Sequence, residues 1–269
     1  MRPIAIYVAP VGAVPVAGNP LTPRQIAEDT IACVKAGASL VHLHVRDEQG
    51  RLVEDTSVFR TTIDMIRRET DVIIQGSTGG MSDLSAADRC TALQVEGVEM
   101  ASLNLGSSNF GDGVYVNSPA DIRYWAQEMK KKRIKPELQV FEPGMVETAL
   151  QLQKEGLLDD PLLFSFSLGF PGAISATAKS CLFLSELIPC SAIWSVVHHE
   201  MNDFSLLAAA LAMGASAIRV GFEDSLSLGG GQMAQSNLEI VSRIAQLVKD
   251  LGYRVMDASE TRRMLGLQG

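Results

Sequence analysis

Eight apolar, strand-like runs recur along the chain, and each is followed by a segment with helical character. The strand-like runs are residues 4–11, 40–47, 72–75, 100–105, 136–141, 162–168, 192–197 and 217–222. They read as nearly continuous apolar stretches, which is typical of parallel strands that are covered on both faces. Eight strand–helix units in a chain of 269 residues predict an α/β fold, a single (β/α)8 or TIM barrel that spans residues 1–269.

The segments between the strands carry the start and stop signals of helices. They are residues 22–36, 59–69, 84–94, 118–132, 142–155, 177–187, 204–213, 234–251 and 259–265. Thr22-Pro23 is a good N-cap and first-turn pair, and Gly37 ends that helix. The last helix is predicted to start at Ser259, with a weak capping box that lacks the usual acid. A doubly wound open sheet is the alternative fold, but residues 10–13 (PVGA) are not its glycine-rich turn.

The composition of the chain indicates which binding partners are unfavourable and which cellular compartment is expected. The chain is 46% hydrophobic and carries a formal net charge of −8, which does not favour nucleic acid or an anionic membrane surface. The short basic run at residues 130–135 is predicted to be the solvent-exposed end of a helix rather than a binding surface. Four cysteines without CxxC spacing, no leader-like segment and no apolar run of membrane-spanning length predict a cytoplasmic protein with reduced thiols.

The second strand, residues 40–47 (LVHLHVRD), carries two histidines in an otherwise apolar stretch. Side chains alternate along a strand, so His42 and His44 are predicted to share one face. Imidazole is a good ligand for zinc, and a divalent metal would satisfy both rings. Two satisfied core histidines are the alternative, because two ligands alone do not make a metal site.

The eighth strand supplies the charged groups that a metal site would need. Arg219 and Glu223 fall on one face by alternation, whereas Asp224 falls on the other. A barrel closes its eighth strand on its first, so Glu223 is predicted to approach the second strand and complete a His-His-Glu zinc site. A rim salt bridge between Glu223 and Arg219 or Arg46 is equally compatible with the spacing. Asp224 is a candidate general base, and a surface carboxylate is the alternative reading.

Three further segments at strand ends are candidates for ligand binding. Residues 77–80 (STGG) have the makings of an anion nest before a helix, although an ordinary turn is as common. Residues 228–232 (LGGGQ) are a second phosphate-site candidate or a lid hinge. The histidines of residues 198–200 (HHE) point apart on a strand, so His199 is expected to line a substrate pocket rather than to bind the same metal.

Taken together and in order, motifs over nearly the whole chain resemble the β-keto acid cleavage enzyme family. The motifs are residues 9–13 (APVGA), 36–38 (AGA), 42–47 (HLHVRD), 77–80 (STGG), 100–103 (MASL), 109–111 (NFG), 135–138 (KPEL), 194–196 (WSV), 212–214 (AMG) and 219–224 (RVGFED). No single motif is specific, but their combination and order are.

The resemblance implies a zinc-containing TIM barrel, a homotetramer, and a transferase that acts on a β-keto acid and the thioester acetyl-CoA. Its products would be acetoacetate and a shortened acyl-CoA. His42, His44 and Glu223 match the zinc ligands, and Arg219 and Asp224 match the catalytic pair. The positions that match the family's contacts to the substrate carboxylate and keto group are Ser77, Gly80 and Asn104, although Asn104 stands where the member acting on an amino-substituted substrate has a threonine. Asp224 is expected to generate a carbon nucleophile from acetyl-CoA, and the metal to polarise the ketone that this carbon attacks.

Two departures from the family bear on the substrate. Val14 stands where a member acting on an amino-substituted substrate has a glutamate, so a buried ammonium group would lack a counterion. A non-amino substrate with a neutral or apolar chain is therefore predicted. Residues 198–203 (HHEMND) also differ, and His199 would allow a carboxylated or hydroxylated tail. Two other functions stay open: a metal-dependent barrel aldolase or lyase that does not use CoA, and a non-catalytic barrel that binds a metabolite.

Overall fold

A closed barrel of eight parallel strands forms the centre of the molecule in a computed structural model, which describes residues 1–12, 17–81 and 83–267. The strands are β1 (Pro3–Val8), β2 (Leu40–Leu43), β3 (Ile73–Gly76), β4 (Met100–Asn104), β5 (Lys135–Val140), β6 (Leu163–Leu168), β7 (Ile193–His198) and β8 (Ala217–Val220). Each pairs with the next, and β8 pairs with β1 to close the barrel. The predicted TIM barrel is thus confirmed.

Helices connect the strands and cover the outside of the barrel. They are α1 (Pro23–Ala36), α2 (Ser57–Arg67), α3 (Ala86–Arg89), α4 (Pro119–Lys132), α5 (Gly144–Lys154), α6 (Ala178–Leu187), α7 (Ser205–Met213), α8 (Asn237–Asp250) and α9 (Ala258–Leu265). The helix predicted over residues 84–94 is instead α3 followed by a 3-10 turn, Thr91–Gln94. In the described part of the chain, no helix is both long and apolar enough to cross a membrane.

The alternation of side chains along β1 separates two layers of apolar packing. Ile4 and Ile6 face the helices, whereas Ala5 and Tyr7 face the barrel interior. The interior layer holds one residue or two from most strands, and α9 contributes Leu265 from the N-terminal end of the barrel. That end of the barrel is therefore filled with apolar side chains.

Toward the C-terminal ends of the strands, the inward positions become polar. The buried polar residues at these positions are His42, Gln75, Ser102, Asn104, Glu137, Gln139, Ser165, Ser167, Ser195 and Arg219. A polar group that is buried needs a hydrogen-bond partner, whereas an apolar side chain at the same position would stabilise the fold without one. Polar residues here are therefore not explained by stability alone. This concentration of buried polar side chains at the C-terminal end of the barrel marks where the candidate site lies.

The N-cap of α9 lies two residues before the predicted one. Asp257 accepts a hydrogen bond from the backbone N–H of Glu260, and the Glu260 side chain caps Asp257 in return. The predicted cap at Ser259 was wrong. A capping box requires an acid three residues after the cap, and Glu260 stands three residues after Asp257.

Candidate functional site

Two histidines and a glutamate converge at the top of the barrel. His42 ends the inward-facing row of β2, His44 follows that strand, and Glu223 lies just beyond β8. The Nε2 atoms of the two histidines are 3.3 Å apart, and Glu223 Oε1 lies 3.5 Å from His42 Nε2 and 3.2 Å from His44 Nε2. Among the residues that the structure describes, this is the one group of His, Cys, Asp and Glu side chains arranged to hold a metal ion.

The protonation states of the three groups suit a cation. Burial, helped by the Arg219 guanidinium, lowers the pKa of His42 to about 3, and burial also lowers the pKa of His44. Burial raises the pKa of the Glu223 carboxyl, but His44 and Arg219 outweigh burial and hold it well below its usual range. At neutral pH the site therefore offers two neutral imidazoles and a carboxylate, the forms that bind metal.

The spacing of the three ligand atoms also fits a small divalent ion. Ligands about 2.0–2.1 Å from a tetrahedral zinc lie roughly 3.3 Å from one another. The observed separations of 3.2, 3.3 and 3.5 Å agree with this value. Because His42 Nδ1 donates to Gln75 Oε1 at 2.5 Å, its Nε2 keeps the lone pair that a metal requires.

Arg219 joins the metal group to a second carboxylate. Its Nε and one terminal nitrogen donate to the two oxygens of Asp224 at 3.0 and 2.9 Å, and the same terminal nitrogen donates to Glu223 at 2.5 Å. Only 3% of Asp224 is exposed, so it is not the surface carboxylate that the spacing allowed. Burial, together with the Glu223 charge, raises the pKa of Asp224 above its usual range against the opposing effect of Arg219.

Asp224 lies on the same side as Arg219 and Glu223, which strand alternation did not predict. β8 ends at Val220, and the chain turns at Gly221, whose φ of +139° favours glycine. A Cβ at Gly221 would come within 2.2 Å of the carbonyl oxygen of Ala9, so the close approach of β1 also requires glycine here. The predicted strand to residue 222 was therefore too long, and the turn brings both acids to the arginine.

The turn after β3 does not form the open anion nest that its sequence allowed. The N–H groups of Thr78 and Gly79 donate to the hydroxyls of Ser102 and Ser77, and that of Gly80 donates to Tyr115 at 2.9 Å. The next helix begins only at Ala86 and is four residues long. The side chain of Ser77 and the surface of Gly80 nevertheless line the cavity described below.

A cavity of about 580 Å³ opens above these groups. Its lining includes all the predicted site residues that the structure describes: His42, His44, Ser77, Gly80, Asn104, His199, Arg219, Glu223 and Asp224. Asn104 is 1% exposed, and neither the oxygen nor the nitrogen of its side-chain amide has a hydrogen-bond partner. Such a group is available for a ligand. The remaining predicted contact, Val14, lies outside the described residues.

The two other segments singled out from the sequence lie apart from the metal group. His199 lines the cavity and stacks on Phe170, with ring centroids 4.3 Å apart, and neither His198 nor His199 belongs to the three-residue metal group. Residues 228–232 overlap a small hairpin, Ser227–Gly229 with Gln232–Met233, and do not line the cavity.

Sequence reasoning missed several residues that support the site. Gln75 orients His42, and its polar side chain in the otherwise apolar third strand was the feature of the sequence that could have indicated this role. Asn237 accepts from the backbone N–H of Phe222 and donates to the carbonyl of Pro10 at 2.8 and 2.9 Å, which ties the turn after β8 to β1. Glu137 is fully buried in the polar layer of the barrel, where burial raises its pKa and the charge of Arg219 and the side chains of Gln75 and Gln139 oppose that rise. No local pattern marks Asn237, because its partners are distant in sequence.

Several known proteins are similar to this chain over most of its length. The family model described as beta-keto acid cleavage enzyme matches residues 3–267. A 3-keto-5-aminohexanoate cleavage enzyme of Fusobacterium nucleatum is 38% identical over 93% of this chain and 91% of its own length. A 3-oxoadipate:acetyl-CoA acetyltransferase of Cupriavidus necator is 32% identical over 99% of this chain and 95% of its own length.

A solved structure supports the fold. The ternary complex of ObcA with a C4-CoA adduct and oxalate superposes with a TM-score of 0.79 at 24% identity, over 92% of this chain and 67% of that one. At this identity the likeness concerns the architecture alone. The family match and the relatives above go further: the chain belongs to the β-keto acid cleavage enzyme family.

Proposed function

We propose that the protein is a zinc-dependent transferase that converts a β-keto acid and acetyl-CoA into acetoacetate and a shortened acyl-CoA. The observation that carries this proposal is the contact of the His42–His44–Glu223 group with the Arg219–Asp224 pair at the base of one cavity. The name of one relative supports it, because the Cupriavidus necator protein is a 3-oxoadipate:acetyl-CoA acetyltransferase. A homotetramer remains part of the proposal through the family resemblance.

His42, His44 and Glu223 would hold the zinc ion, since their atoms, protonation states and spacing fit it. When bound, the metal supplies Lewis-acid polarisation to the keto group of the substrate. The substrate carboxylate and keto group also need hydrogen-bond donors. Ser77 and the unpartnered amide of Asn104 stand in the same cavity and would serve as these donors.

Asp224 is the proposed base. The carbon between the keto and carboxylate groups of a β-keto acid carries the most acidic C–H of the two substrates, so Asp224 would take its proton there. This replaces the carbon nucleophile from acetyl-CoA expected from the sequence. The bidentate contact with Arg219 would hold Asp224 in place, and the guanidinium would stabilise negative charge on the enolate.

The remaining bond changes need no oxidant or further cofactor. The enolate carbon attacks the thioester carbonyl of acetyl-CoA, and coenzyme A leaves as its thiolate. The thiolate then attacks the original keto carbon, and the bond between this carbon and the enolate carbon breaks. Acyl-CoA and acetoacetate are released after the proton returns to the same carbon. Closing the site against water would prevent loss of the enolate to protonation.

The proposed substrate carries no amino group. Val14 offers no charge to an ammonium group, and desolvating an unpaired ammonium would be costly. The test is a panel of β-keto acids assayed with zinc-loaded protein, with and without acetyl-CoA, by release of acetoacetate. Product that forms without acetyl-CoA would favour an aldolase or lyase instead, and no turnover with any member would favour a binding barrel. If 3-keto-5-aminohexanoate proved the best substrate, the non-amino assignment would be wrong.

A further inference from the structure

A glycine in the turn after β3 leaves room between three polar side chains. A Cβ added at Gly79 would lie 2.5 Å from the hydroxyl oxygen of Tyr115, 3.0 Å from Nδ2 of Asn104 and 3.4 Å from Oγ of Ser77. All four residues line the cavity. We call Ser77, Asn104 and Tyr115 the polar cradle. These side chains surround one point, and the absence of a side chain at Gly79 keeps that point open.

The hydroxyl of Tyr115 has one hydrogen bond left to make. It accepts from the backbone N–H of Gly80 at 2.9 Å and from a terminal nitrogen of Arg89 at 3.4 Å, and no described residue accepts its own proton. Burial raises the pKa of Tyr115, so the hydroxyl stays protonated at neutral pH. Its remaining capacity is therefore to donate, and the Asn104 amide of the same cradle is also without a partner.

Arg89 places a positive charge behind the polar cradle. Its guanidinium donates to the backbone carbonyls of Thr78 and Val116 and to the side-chain oxygen of Asn117, and it lies 5.5 Å from the centroid of the Tyr115 ring. These acceptors are uncharged, and within the described ranges no carboxylate forms an ion pair with Arg89. A hydroxyl that accepts from a cation becomes a stronger donor, above all toward an anion.

Three other arginines line the cavity, and they differ in their partners. Arg219 and Arg51 are each paired with acidic side chains. Arg46 donates to the carbonyl of Gly50 at 2.7 Å, its Nε has no partner, and it forms no ion pair with the residues that the structure describes. Arg46 is therefore the competing cation for a bound carboxylate. It offers one unpartnered nitrogen, whereas the polar cradle presents three side chains around one point.

The polar cradle lies beside the metal group of His42, His44 and Glu223. The N–H of Ser77 donates to the carbonyl of Leu43 at 2.8 Å, which places Ser77 level with the segment that carries His44. Neighbouring strands are about 4.8 Å apart. In a β-keto acid one carbon separates the keto group from the carboxylate. A substrate whose keto group contacts the metal group would therefore bring its carboxylate to the polar cradle.

We propose that Tyr115 is a third donor, with Ser77 and Asn104, to the carboxylate of the β-keto acid, and that the charge of Arg89 makes the polar cradle selective for an anion. This inference rests on the function proposed above and adds a substrate-binding residue to it. Tyr115 contacts the carboxylate, and Arg89 acts through Tyr115 as a positioning residue.

Tyr115→Phe tests the contact, because it removes the hydroxyl alone. Calorimetric titration of zinc-loaded protein compares 3-hydroxybutyrate with 3-hydroxybutanamide, neither of which can undergo the cleavage. The variant should bind the acid about tenfold or more weakly and the amide less than about threefold more weakly, since a hydrogen bond to a charged oxygen is the stronger. Tyr124→Phe is the matched control, because Tyr124 is 37% exposed on α4 and does not line the cavity.

Arg89→Gln tests the source of the selectivity. It should lower the preference for the acid over the amide by about tenfold, because the charge behind Tyr115 is lost. A structural role alone would weaken the binding of both ligands alike. Equal losses for acid and amide, in this variant or in Tyr115→Phe, would therefore overturn the assignment.

Gly79→Ala fills the polar cradle without removing any of its donors. It should weaken binding of the acid by at least about tenfold and raise the KM for 3-oxopentanoate, while the KM for acetyl-CoA stays near that of the wild type. Gly144→Ala is the control, because a Cβ there meets no atom within 4 Å. Unchanged affinity for the acid in Gly79→Ala and Tyr115→Phe would contradict the inference and point to Arg46. The calorimetric losses are expected even if the proposed reaction is wrong, so the two failures are distinguishable.

Discussion

Gln75 on β3 accepts a hydrogen bond from Nδ1 of His42, its direct partner in the register of β2 and β3, at 2.5 Å. The bond fixes which nitrogen of the imidazole carries the proton and leaves Nε2 free to face His44 and Glu223. Groups that orient a metal ligand in this way typically change metal affinity by 10- to 100-fold when they are removed.

Replacing Gln75 should therefore weaken zinc binding. Gln75→Ala is expected to lower zinc affinity by about 10- to 100-fold, because His42 loses its orienting partner. Competition against a chromophoric chelator measures the affinity. Gln246→Ala makes the same change at a site where the amide only contacts Asp250 on the surface, and it should not alter zinc binding. Equal affinities in the two variants would show that Gln75 does not orient the ligand.

Asp224→Asn separates catalysis from metal binding. Zinc content should stay near normal, since Asp224 is not in the metal group, whereas kcat should fall by at least about a hundredfold because the proposed base is lost. Metal analysis and acetoacetate release give the two readouts. Asp159→Asn is the control, because Asp159 is 75% exposed in an ion pair with Lys130. Wild-type turnover in Asp224→Asn would remove Asp224 from the mechanism.

Asp29 gives a prediction about stability and pH. Burial raises the pKa of this α1 residue to about 6, although Asn237 donates to it at 2.8 Å. Because the folded state binds this proton more tightly than the unfolded state, folding stability is lost as pH rises from about 4 through 6. Asp29→Asn should therefore stabilise the fold by about 1–3 kcal/mol at pH 7.5, and by less as the pH approaches 4.

Urea denaturation of Asp29→Asn and of the wild type across this pH range checks the sign. Asp250→Asn serves as the control, because Asp250 is exposed at the end of α8, and it should change stability by less than about 0.5 kcal/mol at every pH. An Asp29→Asn variant that is less stable than the wild type at pH 7.5 would mean that the charged carboxylate stabilises the fold.

The sequence predicted the barrel well because the same strand–helix pattern recurs eight times along the chain. Each buried parallel strand reads as an apolar run, so errors of up to four residues at element ends, as at the end of β2, did not alter the topology. The approach of Glu223 to His42 and His44 followed from closing β8 on β1, since a closed barrel fixes which strand ends are neighbours.

Details set by turns and by distant partners could not be predicted. Alternation placed Asp224 opposite Arg219, but the chain leaves β8 at Gly221 and reverses that assignment. Hydroxyls from Ser102 and Tyr115, distant in sequence, accept hydrogen bonds from the N–H groups of residues 77–80 that the sequence predicted to be open to an anion.

The fate of a carbon label tests the central claim most directly. Zinc-loaded protein would be incubated with an unlabelled β-keto acid and acetyl-CoA that carries ¹³C in both acetyl carbons, and the products would be followed by NMR. We predict label in the acetyl half of acetoacetate, an unlabelled acyl-CoA, and loss of both products when the metal is removed by a chelator. Label in the acyl-CoA or in free acetate, or acetoacetate that forms unlabelled, would contradict the proposed reaction.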